Sequence, residues 1–196
     1  MITVRIRSSA LAAAVGLLLA MPAAGQVHEA EAGAEHAEEG HHSIAGRHRI
    51  TLSLGHTHVS QGKIEGETEW LVAASWALNY DYWLNERWGL GLQNEILLEQ
   101  FAIEHGGEEL LEREYPVSVI PTVLYKPLEW LTLLAGVGRE FASEEDLTLT
   151  RLGAEAGWHV AADWEVGAAL VWDNKWDYYD SWGLSFGISR FLGRGR

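Results

Sequence analysis

The sequence contains no cysteine, so disulfides, thiolate metal sites and cysteine nucleophiles are excluded. Proline is scarce, at 4 in 196 residues, a length that suits about one domain. Basic residues are also few: 14 Lys+Arg stand against 28 Asp+Glu, for a formal charge of −14. A nucleic-acid partner would need a basic face, and this chain has none to offer. Beyond Ala20 no run is long and apolar enough to span a bilayer as a helix. What is abundant is Gly, at 21, and Trp, at 10. The hydrophobic share of 47% is too high for a disordered chain.

The first segment reads as an address. Arg5 and Arg7 precede an apolar run from Ala10 to Ala20, then Pro22 and the small residues Ala23-Ala24-Gly25. That order is the one a secretory signal peptide uses, with cleavage expected after Gly25. The run is too short for the roughly 20 residues of a membrane-spanning helix.

Residues 26–47 form a polar leader with no apolar face to bury, and disorder is expected there. Its histidines, His28, His36, His41 and His42, lie among Glu29, Glu31, Glu35, Glu38 and Glu39. Imidazole and carboxylate suit zinc, copper or nickel, so a divalent metal is the one cofactor worth considering. A solvated acidic tether explains the same composition.

From His48 onward the periodicity is two. Ile50, Leu52 and Leu54 alternate with Thr51, Ser53 and Gly55. Trp182, Leu184, Phe186 and Ile188 alternate with Gly183, Ser185, Gly187 and Ser189. Eight such segments lie between residues 48 and 192, each roughly 10 to 14 residues, enough for a tilted strand to cross a bilayer. Bulges are expected at Asn94 and Arg139, where the alternation falters. The connections at 84–87, 126–129 and 161–163 are tight; those at 60–68, 104–114, 142–146 and 173–181 are generally longer and acidic. Aromatic residues cluster around the tight turns: Tyr82, Trp83, Trp88, Tyr125, Trp130, Trp158 and Trp164. Rings with a polar handle settle at membrane–water boundaries, so these form an expected interfacial girdle.

The face opposite the large apolar residues is rich in Gly, Ser, Ala and Thr. Eight closed strands leave an interior just wide enough for side chains, so small residues belong inside and large ones outside, against lipid. A soluble lipocalin-like barrel is the alternative, with the apolar face around a ligand cavity.

On strand count, alternation, turn rhythm and aromatic ring, residues 48–192 resemble the small eight-stranded outer-membrane barrels of Gram-negative bacteria, the OmpA, OmpX and OmpW type. The resemblance implies an all-β, eight-stranded antiparallel up-and-down transmembrane β-barrel with a periplasmic N-terminus. It implies outer-membrane lipid, lipopolysaccharide and the insertion machinery as partners. Such barrels usually end on an aromatic residue; here Phe191 is followed by Leu-Gly-Arg-Gly-Arg, leaving 193–196 as a short tail.

The expected lumen face carries Asp81, Glu95, Glu99, Glu140, Arg151, Glu155 and Glu165, with His159 beside them. Charges in a narrow interior need partners. A polar plug is expected around Arg151, with acids drawn from Glu95, Glu99, Glu140 and Glu155. Glu140 is placed to pair with Arg151 directly. The expected function is non-enzymatic: a structural barrel, or a narrow passive channel favouring small cations. Metal uptake through the leader and acidic lumen is an alternative. A lipid A hydrolase is another, resting on His58-x-Ser60 with Glu65 or Glu67. The outer loops at Gln61–Thr68, Glu104–Glu114 and Asp173–Asp180, with Trp176, Tyr178 and Tyr179 in the last, offer a binding surface.

Overall fold

The computed structural model describes residues 43–64, 67–105, 109–193 and 195. The signal segment, most of the leader and its histidines His28, His36, His41 and His42 lie outside the described residues.

Ten strands follow one another: β1 His48–Ile64, β2 Glu67–Trp83, β3 Trp88–Leu97, β4 Gln100–His105, β5 Glu109–Glu114, β6 Val117–Leu128, β7 Leu131–Phe141, β8 Leu147–Ala161, β9 Trp164–Lys175 and β10 Tyr179–Leu192. Eight of them close into an antiparallel barrel in the order β1-β10-β9-β8-β7-β6-β3-β2. Closure pairs His48 with Leu192 on one edge and with Tyr82 on the other. Each of these eight strands is paired on both sides, so the barrel itself has no open edge.

Alternation decides the two faces. Leu52, Leu54, Trp76, Leu78, Leu90, Val137, Leu152, Leu170 and Phe186 are exposed on the outside. Ser53, Thr57, Ser75, Thr132 and Ser189 are buried inside. The soluble alternative required the reverse, so it is set aside on this point.

The two ends differ. Turns at 84–87, 129–130 and 162–163, together with the start of β1 and the end of β10, make a tight-turn end. The opposite, long-loop end is more ordered than expected. Strands β1 and β2 run 17 residues each, leaving only 65–66 between them. Much of the acidic stretch at 104–114 is a hairpin, β4–β5, rather than a loop. Asp173–Lys175 and Tyr179–Asp180 belong to β9 and β10.

The bulges expected at Asn94 and Arg139 do not occur. Residues on both sides of Asn94 keep one register with β2, and at the gap in the ladder the Asn79 side chain accepts from the Asn94 N–H at 3.0 Å. Register shifts lie instead between Ser60 and Lys63, Tyr125 and Leu128, and His159 and Ala161.

The end of the leader is docked. The Gly46 N–H donates to the Trp83 carbonyl at 2.8 Å, and the Trp83 N–H donates to the Arg47 carbonyl at 3.0 Å. The disorder expected up to Arg47 therefore does not extend to residues 43–47.

Candidate functional site

The interior is crossed by side chains at four levels. At the tight-turn end, Ile44, Trp83, Leu124, Leu134 and Phe191 form a buried apolar cluster. Ile120, Leu124 and Leu134 share the inward face with Ser118 and Thr122, and their size blurs the alternation of β6 and β7. Trp83 is fully buried in this cluster, so it is not part of an outer aromatic girdle. It shares strand parity with Asp81, which faces inward. Cations lie over its ring: the Arg49 guanidinium at 5.8 Å and the Lys126 ammonium at 5.6 Å. Arg47 is ion-paired to Asp163 at 2.5 Å, with its guanidinium 5.3 Å from the Phe191 ring centre. His159 stacks on Phe191 and lies 3.9 Å from Glu165.

Glu86, in the β2–β3 turn, clamps the docked leader. It accepts from the Ser43 hydroxyl at 2.5 Å, the Ile44 N–H at 3.3 Å and the Ala45 N–H at 3.4 Å. Partial burial pushes its pKa up, but these donors and the Lys126 charge outweigh that and hold it below the ordinary 4.5.

The second level is built on Arg49. Its guanidinium reaches Asp81 at 2.7 Å, Glu155 at 2.6 Å and Glu165 at 3.1 Å. These carboxylates come from β2, β8 and β9, so one cation ties four strands together. Gln93 donates to Asp81 at 3.3 Å. Two glycines make room. A Cβ on Gly91 would sit 2.6 Å from the Asp81 carboxylate, and one on Gly157 would sit 2.6 Å from that of Glu165.

The third level is built on Arg151. It is bidentate to Asp173, at 2.7 Å for each bond, and reaches Glu95 at 2.5 Å. Fork-to-fork pairing of this kind is strong because both donors are fixed in one plane. Thr57 donates to Glu95 at 3.0 Å. Lys175 lies 3.4 Å from Asp173 and 3.6 Å from Glu140, and it donates to the Ser181 hydroxyl at 2.6 Å.

The fourth level lies under the hairpin. Arg113, from β5, is fully buried and paired to Glu140 at 2.5 Å. It also donates to the Glu145 carbonyl. The Tyr179 hydroxyl donates to Glu140 at 2.6 Å. Val59, Ala73, Leu97, Phe101, Ile103 and Leu147 pack around Tyr179 as an apolar cap at this end.

Six of the expected lumen residues, Asp81, Glu95, Glu140, Arg151, Glu155 and Glu165, therefore face inward. Glu99 does not: it is exposed between β3 and β4, past the point where β3 leaves the barrel ladder. Glu140 pairs with Arg113 and Lys175 rather than with Arg151, and Glu155 pairs with Arg49. Arg49, Asp173 and Lys175 were available from strand parity: Arg49 is in phase with Thr51 and Ser53, and Asp173 and Lys175 with Glu165. Arg113 carried no such signal, because its strand lies outside the barrel wall.

Between the second and third levels lies a cavity open to solvent at its mouth. Ser53, Ser75, Asn79 and Ser185 line its body, and it reaches Lys126 and Trp130 at the tight-turn rim. Among the described residues no group of three or more His, Asp or Glu side chains could hold a metal ion. Of the alternative triad, His58 makes a ring contact with His56, and the side chains of Glu65 and Glu67 lie outside the described residues.

Outside, Trp88, Trp130, Trp158 and Trp164 are exposed near the tight-turn end, with Trp88 packed on Tyr125 at 4.6 Å. Tyr82, half-buried, lies 5.0 Å from the His48 ring. Trp70, Trp172, Trp176 and Trp182 lie toward the long-loop end, with Trp172 and Trp182 paired across strands at 6.3 Å.

No family model matches the sequence, and no curated protein matches it either. Solved structures do share its architecture. Neisserial surface protein A aligns over 74% of this chain and 98% of its own length, at 13% identity and a TM-score of 0.50. Ail, the attachment invasion locus protein of Yersinia pestis, aligns over 74% and 99%, at 16% identity and a TM-score of 0.49. The N-terminal β-barrel domain of OprF from Pseudomonas aeruginosa aligns over 76% and 98%, at 12% identity and a TM-score of 0.49. The likeness is one of fold: this chain is a closed eight-stranded antiparallel barrel, the architecture these structures share.

Proposed function

We propose that this chain is an integral outer-membrane barrel with a closed lumen, a structural anchor that carries its extended long-loop end above the membrane surface. The observation that carries the reading is the Arg151 bridge, from β8 to Asp173 on β9 and to Glu95 on β3. In the barrel order β8 and β3 are three strands apart, so the bridge spans the lumen. An ion entering the cavity from the tight-turn side would have to break this pair, then the Arg113–Glu140 pair, then cross the apolar cap.

The outer surface supports the membrane part. On β1 the stretch from His48, beside Tyr82, to His58, beside Trp182, measures the distance between two aromatic rows. That is roughly the 9–11 residues of a tilted membrane-spanning strand. Exposed Leu, Val, Ile and Phe fill the belt between the rows. An apolar belt of this extent on a water-soluble monomer would drive association. Lipid and lipopolysaccharide are then the partners of the belt, and the tight-turn end with the docked leader faces the periplasm.

Planar-bilayer recording of the purified chain tests the closed lumen. The expected record is a quiet baseline with rare, short openings; a large and steady conductance overturns the plug. Solubility tests the rest: the chain should need detergent and should migrate differently boiled and unboiled. A freely water-soluble monomer would overturn the membrane reading.

A further inference from the structure

His56 and His58 interrupt the apolar outer face of β1. They continue the outward row Ile50, Leu52, Leu54, with Thr57 buried inside between them. Their cross-strand neighbours are Ala74 and Leu184 for His56, and Val72 and Trp182 for His58. None of these can accept or donate through a side chain at the imidazole positions except Trp182, a donor only. Among the described residues neither imidazole has a hydrogen-bond or ion-pair partner, and the two rings contact each other at 5.3 Å with an interplanar angle of 65°.

That spacing fits one ligand chemistry well. Imidazole nitrogens bind a tetrahedral divalent ion at about 2.0–2.1 Å, which places two ring centres roughly 5 Å apart. Two histidines at i and i+2 on one strand face point the same way, so the backbone already holds them for a shared ion. The small Ala74 beside His56 leaves space above the sheet. We propose that His56 and His58 form a two-imidazole site for a divalent transition metal of the zinc, copper and nickel class. No third His, Asp or Glu joins them among the described residues, so the remaining coordination positions stay open to water or a headgroup oxygen. The site is distinct from the leader histidines and from the lumen carboxylates. It stands whether or not the outer face meets lipid.

The test uses the full chain folded in detergent micelles, carrying His28→Asn, His36→Asn, His41→Asn and His42→Asn in every arm to silence the leader. Copper(II) is added, and binding is read by electron paramagnetic resonance and by quenching of tryptophan fluorescence, since Trp182 is the cross-strand partner of His58. The expected result is one saturable site with two-nitrogen coordination and partial quenching. His56→Leu and His58→Leu, which match the neighbouring outward residues and so leave the barrel folded, should each weaken binding at least tenfold. Saturable binding that is unchanged in either variant overturns the proposal. So does the absence of saturable binding when the two histidines are intact.

Discussion

Arg151 and Glu95 meet at 2.5 Å across the lumen, one from β8 and the other from β3. Arg151 is buried and Glu95 half-buried, and Asp173, also buried, completes the site from β9. Removing Arg151 leaves two carboxylates facing each other in a narrow interior with only Lys175 near Asp173. Breaking one side of a buried pair costs about 3–5 kcal/mol, because the remaining charge is uncompensated. Arg151→Ala should therefore lower the midpoint of urea unfolding sharply, and adding Asp173→Asn and Glu95→Gln should recover part of the loss. An Arg151→Ala barrel as stable as the parent would mean that these groups are individually hydrated rather than bridged.

Gly157 tests the second level. A Cβ there would sit 2.6 Å from the Glu165 carboxyl carbon, and that carboxylate is held by Arg49 at 3.1 Å. Gly157→Ala forces Glu165 to leave the arginine or the strand to shift. The expected cost is about 1–3 kcal/mol, the range for overpacking a tight interior. In a Glu165→Ala background the same substitution has nothing to strike, and its cost should nearly vanish. A double-mutant cycle on unfolding free energies reads this coupling directly. Equal costs in both backgrounds would show that Gly157 is needed for some other reason.

The wall of the barrel was plain in the sequence because the inside and outside demand opposite residue sizes, and period two displays that contrast. The lumen was legible wherever small or charged residues kept phase, as at Asp81, Glu155 and Glu165. It was less legible where the plug itself is apolar: Ile120, Leu124 and Leu134 look like outward residues by type and inward ones only by position. Trp83 was hidden by its neighbours, since Tyr82 and Trp88 do face outward or toward the rim, and only counting from Asp81 separates them. Arg49 lies one position before the first obvious alternating run. Arg113 could not be seen at all, because its strand pairs with β4 above the wall and enters the lumen by tertiary packing.

The burial of Trp83 is open to a direct check in lipid. Brominated acyl chains quench only tryptophans that touch them. Single-tryptophan variants retaining Trp130 or Trp158 should be quenched strongly in brominated bilayers. A variant retaining Trp83 alone should be nearly unaffected, and its emission should be blue-shifted by the apolar cluster of Leu124, Leu134 and Phe191. Strong bromine quenching of Trp83 would place it in the girdle after all.

The clamp at Glu86 gives a pH dependence whose direction follows from its hydrogen bonds. Its carboxyl sits below the ordinary 4.5 when the leader is docked, because the ionised form accepts from Ser43, Ile44 and Ala45. A group with a lowered folded-state pKa stabilises the docked form above its free value and loses that contribution as pH falls through the folded one. Residues 43–47 should therefore stay docked at neutral pH and loosen in strong acid, while the barrel wall, held by its ladder, remains closed. The absence of cysteine makes the measurement clean: Ala45→Cys carries a single spin label. Its spectrum should be restricted at pH 7 and mobile in acid, and Glu86→Gln, which cannot ionise, should be more mobile than the parent at pH 7 with little further change on acidification. A label equally restricted at both pH values, in both forms, would mean that burial of Ile44 and the Arg47–Asp163 pair hold the segment without help from Glu86.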